Sequence, residues 1–104
     1  RDHTITYGGT FKAKTTRDIL WIYILRLLRE REMYAYEIRS RLGERFGFEP
    51  ALVTSYVVLY RLEKGGYVEA QWRANRKFYR ITAKGERLYQ DGISHLAGLV
   101  EALR

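Results

Sequence analysis

Apolar residues keep a helical rhythm over the first half of the chain. Leu20, Tyr23, Ile24, Leu27 and Leu28 recur at three- and four-residue steps, and Ile19, Trp21, Ile22 and Leu25 widen that stripe until it covers most of the cylinder. The spacing predicts a helix from about Thr16 to Arg31. Thr15 or Thr16 would accept the first orphan N–H groups, and Asp18 sits in the first turn, where the helix dipole favours a carboxylate. So wide an apolar face calls for burial on two sides, one in its own domain and one against a partner. A second helix is expected from about Tyr34 to Phe46, with Tyr36, Ile38, Leu42 and Phe46 inward and Gly47 ending it. A third should run from Leu52 to Lys64, with Val53, Tyr56, Leu59 and Leu62 inward and Gly65-Gly66 as the stop.

The pattern then changes. YVEAQW (67–72) and KFYRI (77–81) are rich in aromatic and β-branched residues and read as two strands. RANR (73–76) fits the tip between them, Asn75 taking a positive φ. Thr82 can cap a last helix reaching the C-terminus, about 33 Å long at 1.5 Å per residue. Along it Leu88, Gly92, Leu96, Leu99 and Leu103 alternate at three- and four-residue steps, with Ile93 and Val100 beside them. That spacing belongs to a helix-pairing seam. Residues 1–14 carry no stripe. They read as an arm outside the core, either a mobile tail or a segment touching DNA or a second subunit.

Composition narrows the field. With 104 residues, 46% of them hydrophobic, the chain suits one domain with a real core. A net charge of +7 favours a polyanionic partner, nucleic acid before an anionic membrane. Having no Cys excludes disulfide frameworks, thiolate zinc sites and cysteine nucleophiles, and two distant His residues, at 3 and 95, cannot alone hold a metal. The longest apolar run, ILWIYIL (19–25), is too short to span a bilayer. No signal peptide is recognisable and the chain opens on Arg1, as a processed or engineered start would, so a cytoplasmic location is expected. No nucleophile elbow, phosphate-cradling loop or acid/base set is present, and Gly8-Gly9 and Gly65-Gly66 read as turns. Neither an enzyme nor a cofactor is expected.

Helix, helix, turn, helix and then a basic hairpin is the order of a winged helix-turn-helix: mainly α with a small two-stranded β wing, followed by a dimerisation helix. The domain expectation is an arm at 1–14, a DNA-binding unit at 15–81 and a C-terminal helix at 82–104. The hairpin segment 67–81 holds Arg73, Arg76, Lys77 and Arg80 against Glu69 alone, a net +3. Cations placed there meet phosphates, and counterion release supplies sequence-independent affinity.

Three blocks resemble the PadR family of transcriptional regulators. MYAYEIRSRL (33–42) looks like its second-helix signature, TSYVVLYRLEKGGYV (54–68) like its recognition helix entering the wing, and KFYRITAKG (77–85) like its second wing strand. Tyr36, Glu37, Thr54, Tyr56, Leu59, Leu62, Glu63, Gly66, Val68, Tyr79, Thr82 and Gly85 carry the match, while Ala35 and Val57 replace residues usual in the family. The single terminal helix resembles the short-tailed subgroup. The resemblance implies a homodimeric DNA-binding repressor or regulator in which the last helix of one subunit packs on the first of the other. It thereby implies an interface from Leu20, Trp21, Ile24 and Leu28 with Leu88, Gly92, Leu96, Leu99, Val100 and Leu103. It also implies that an aromatic effector could lie between subunits, near Trp21 and Tyr23, although core packing explains both residues without one.

The candidate DNA contacts each have a plainer alternative. Thr54 and Ser55 can bond a phosphate or only cap the helix. Tyr56 can reach a base or pack half-buried. Val57 and Val58, if not core, could meet thymine methyls. Arg61 and Lys64 can contact phosphate or solvate the surface. Arg73, Asn75, Arg76 and Lys77 at the wing are the firmest, a wet charged surface being the alternative. Tyr36, Arg39 and Arg41 on the second helix could face the DNA backbone, while Glu37 and Glu44 offer the arginines ordinary ion pairs. The leading expectation is a homodimeric regulator on a near-palindromic duplex site. A sequence-indifferent architectural DNA protein and an effector-driven sensor stand as its competitors.

Overall fold

A computed structural model describes residues 18–104. The expected arm at 1–14 and the caps at Thr15 or Thr16 lie outside the described residues. Helix α1 spans Leu20–Leu28, and its side chains at 20, 22, 24, 25, 27 and 28 are all buried. It touches α2 (Ala35–Phe46), α3 (Leu52–Lys64), α4 (Ala83–Leu103) and strand β3 (Arg76–Ile81). Its all-round apolar character is therefore satisfied inside one chain. Leu20, Ile24 and Leu28 are core and do not offer a surface to a second subunit, a correction to the sequence expectation. The hydrophobic gain, about 1.5–3 kcal/mol for each such side chain, makes α1 the post around which the rest assembles.

Helix α2 buries Ala35, Ile38 and Leu42 and ends at Gly47, whose φ of 80° and N–H bond to the Gly43 carbonyl (3.1 Å) close the last turn. Tyr36, expected inward, is exposed because the buried stripe runs through 35, 38 and 42. Helix α3 has the expected bounds but a different rotation. It buries Ser55, Leu59 and Leu62, whereas Val53 is 73% exposed and Tyr56 also faces out. Apolar residues occur on every side of this helix, so periodicity alone could not choose the inward face.

Three short antiparallel strands, β1 (Met33–Tyr34), β2 (Val68–Arg73) and β3, form a sheet in the order β1-β3-β2. The wing thus has a third strand: Met33 pairs with Tyr79 and Tyr34 with Phe78. Two residues leave no detectable alternation, which is why only two strands were expected. Between β2 and β3 a two-residue turn places Ala74 at φ 50° and Asn75 at φ 67°, the handedness that suits a twisted hairpin. Thr82 caps α4 as expected, accepting from the Gly85 N–H at 3.0 Å, while its hydroxyl donates to the Gly66 carbonyl at 2.7 Å. Gly85 sits so close to the chain that an added Cβ would lie 2.0 Å from the Tyr67 carbonyl oxygen. These contacts tie the start of α4 to the junction of α3 and the wing.

The α4 seam divides in two. Leu88 and Leu96 pack against the core of their own chain, and a Cβ on Gly92 would come within 2.7 Å of the Trp21 ring. Those positions, like Trp21, serve the α1–α4 contact inside the protomer. Leu99, Val100 and Leu103 are exposed, Leu103 at 82%.

Candidate nucleic-acid interface

The outward face of α3 follows from its inward one. With 55, 59 and 62 against the core, steps of three and four bring Val53, Tyr56, Val57, Tyr60, Arg61 and Lys64 to the surface. Thr54 is half-buried at the edge of that stripe. Ser55 is fully buried and cannot bond a phosphate, which removes it from the expected contacts.

The wing cations are not equivalent. Arg73 lies 4.2 Å from the Phe78 ring centroid and its guanidinium is paired with Glu32. Lys77 places Nζ 3.0 Å from Glu63 Oε1, and this hydrogen bond holds the ammonium pKa above its ordinary value. Burial in turn pushes up the Tyr79 phenol beside it. The Lys77–Glu63 pair joins the wing to the last turn of α3 and so fixes their relative orientation. Arg76 lies 4.6 Å over the Tyr34 ring. Among the described residues no carboxylate comes within 4.0 Å of Arg76, Arg61 or Lys64. On α3 and the wing these are the three cations without a carboxylate partner among the described residues.

Arg39 is committed elsewhere. Its Nε donates to the Pro50 carbonyl at 2.7 Å and its Nη1 lies 3.6 Å from Glu49, so it straps the α2–α3 turn instead of facing outward. Arg41 lies near Glu30 and Glu44, at 3.7 and 3.9 Å. Of the helical ion pairs expected for them, Arg41–Glu44 forms, whereas Glu37 is paired with Arg31 at 2.7 Å and Arg39 braces the turn.

Between the wing, the first turn of α2 and the first half of α3 lies a groove of about 370 Å³. Tyr36, Tyr56, Asn75, Arg76 and Lys77, all singled out from the sequence, line it together, as do Tyr34, Trp72 and Tyr79. Reading the sequence missed Val53, Tyr60 and Trp72 on this face. Trp72 is 68% exposed. A helical wheel with Ser55 inward would have exposed the first two, whereas alternation puts Trp72 on the face of buried Val68 and so hides its exposure. The ensemble offers cations for phosphates, phenol and amide hydrogen bonds, and a helix free to enter a groove.

A second, shallower depression of about 210 Å³ lies between α1 and α4, lined by Ile22, Tyr23, Phe46, Tyr89 and Leu96 among others. Tyr23 stacks edge-on against Phe46 and Phe48, with centroids 4.9 and 5.0 Å away. Aromatic packing within the chain accounts for its position. Among the described residues no helix is long and apolar enough to cross a membrane.

The model of the Transcriptional regulator PadR-like family matches residues 24–91, from α1 through the wing into α4. The chain belongs to the PadR-like family of transcriptional regulators. As a member it is a regulator and not an enzyme. An uncharacterised protein of Lysinibacillus sphaericus is 33% identical over 87 residues, which cover 77% of this chain and 80% of that one. A PadR-family transcriptional regulator from Eggerthella lenta shares the fold with a TM-score of 0.89 at 23% identity, over 99% of this chain and 94% of the other. Bacillus subtilis PadR, solved in complex with operator DNA, superposes with a TM-score of 0.63 at 26% identity, over 72% of this chain and 46% of its own. The PadR-like fold here is mainly helical, with the three-stranded wing and a single helix beyond it.

Proposed function

We propose that this PadR-like chain is a sequence-specific, duplex-DNA-binding regulator that acts as a homodimer on a near-palindromic site. One observation carries the reading: α3 turns an exposed stripe outward beside a wing, and on those two elements Arg61, Lys64 and Arg76 meet no carboxylate among the described residues. A helix of this kind fits a major groove while the hairpin follows the backbone, and the operator complex of B. subtilis PadR supports the same use of the fold. Dimerisation is supported by Leu99, Val100 and Leu103, which stay exposed where α4 runs past its own core. Two-fold symmetry would set the half-sites about one helical turn apart, near 34 Å. Repression is the proposed sign, because a dimer seated on a promoter excludes polymerase by volume alone, and the cytoplasm is the proposed location.

Selection of bound duplexes from a random pool tests this. A regulator retains at least about a thousandfold preference for its selected site over bulk DNA. Equal affinity for all duplexes would instead establish the architectural reading. Leu99→Asp with Leu103→Asp should convert the dimer to monomers without unfolding the domain, since both side chains lie outside the core. An unaltered dimer mass by light scattering would refute the seam.

The reading of a sensor with an effector between subunits draws support only from an apolar depression between α1 and α4 of one chain, lined by Ile22, Tyr23 and Leu96 among others. With Trp72→Phe removing the exposed indole, Trp21 fluorescence titrated with planar aromatic compounds tests it. A flat response across a broad library rejects it.

A further inference from the structure

The regulator reading leaves open how bases are told apart, and the chemistry of α3 addresses this. From its start to its third turn the exposed face consists of Val53, Tyr56, Val57 and Tyr60, with Arg61 and Lys64 following only toward the end. Valine is a mediocre helix former and gains nothing from facing water, so two exposed valines here have no folding rationale. Helix-turn-helix proteins present the N-terminal residues of the recognition helix to base edges. Guanine and adenine edges are read by Arg, Lys, Asn or Gln, whereas apolar side chains contact the thymine 5-methyl group. None of those four residue types occurs from 51 to 60, Thr54 is half-buried, and Ser55 is buried.

Resting on the regulator reading, we infer that each half-site is read chiefly through thymine 5-methyl groups. Val53 and Val57 make the contacts, and the Tyr60 ring flanks them. Arg61 and Lys64 hold the phosphates at the rim, a division of labour that matches apolar side chains to methyls and free cations to the duplex backbone. Specificity on this account comes from shape and apolar burial, with no bidentate hydrogen bond to a purine at the centre of the helix.

The test uses the full chain and its selected duplex. Thymines should occupy the positions facing α3 in both half-sites. Replacing each by deoxyuridine removes only the methyl and keeps base pairing intact, and should weaken binding about fourfold per methyl. Val57→Ala, an exposed change, should abolish that sensitivity at one thymine while Val53→Ala abolishes it at another. G·C pairs at those positions overturn the inference. So does a selected site whose affinity ignores deoxyuridine, or equal methyl sensitivity in the wild type and both variants. A pool yielding no preferred sequence overturns the regulator reading itself. A preferred sequence indifferent to the methyl overturns only the apolar readout.

Discussion

Replacing Arg76 by Ala removes the one cation at the wing tip that no carboxylate neutralises among the described residues. The side chain is exposed and rests on the Tyr34 ring, with no other polar partner seen among the described residues. Losing that ring contact should cost the fold no more than about 1 kcal/mol. Its effect on DNA should be larger and of a particular kind. Each neutralised phosphate contributes about 0.9 to the slope of log K against log salt, so two copies in a dimer contribute about 1.8. On raising salt from about 50 to about 200 mM, the variant should therefore lose about twelvefold less affinity than the wild type. Fluorescence anisotropy with labelled duplexes across that range reads the slope. Specific and unrelated duplexes should shift alike, because phosphates carry no sequence. The control is the double variant Glu63→Gln with Lys77→Gln, which removes one cation and one anion that already neutralise each other at 3.0 Å. Its slope should stay near that of the wild type. An unchanged slope in Arg76→Ala, or an equal loss in the double variant, would refute the assignment of free and committed cations.

Two further predictions concern the scaffold. Glu30 accepts from Arg26 at 2.9 Å, is paired with Arg45 and has Arg41 at 3.7 Å, and the Arg45 hydrogen bond leads in holding its carboxyl below the ordinary 4.5. Because the unfolded chain takes up this proton more readily, the stabilisation is present above about pH 4.5 and is lost as pH falls through the lower folded value. Urea midpoints measured from pH 6 downward should therefore fall less steeply for Glu30→Gln, and parallel curves would contradict the clamp. Ala74 holds a left-handed φ of 50°, a conformation costing an L-residue roughly 1–2 kcal/mol. Ala74→Gly should remove that cost, less about 0.5–1 kcal/mol for the freer unfolded chain, and raise the calorimetric Tm by a few degrees. A lower Tm would show that the strain is not there.

The terminal groups of α2, α3 and α4 were legible because they are local, whereas α1, expected over about Thr16 to Arg31, spans Leu20–Leu28. Gly47 and Gly65-Gly66 stop α2 and α3 as expected, and the Thr82 hydroxyl caps α4 from within its own turn. The candidate interface was legible in outline for the same reason, since Tyr56, Asn75, Arg76 and Lys77 fall in one groove once helix and hairpin are placed in order. What could not be read was which of several equivalent groups would be used. Arg73 and Lys77 looked as free as Arg76, yet their carboxylates come from positions 41 and 14 residues away in sequence.

By itself, then, the amino-acid order determined the kind and succession of the longer elements, the ends of α2, α3 and α4, and the positive charge of the wing. These follow from backbone hydrogen bonding, side-chain period and capping, which act over a few residues. Only the tertiary structure decided that α1 is enclosed by its own chain, that α3 turns Ser55 inward and two valines outward, and that Arg76 meets no carboxylate among the described residues. Those choices are made by packing and ion pairing between distant segments. There, alternatives that look alike along the chain differ in the surface they bury and the charge they meet.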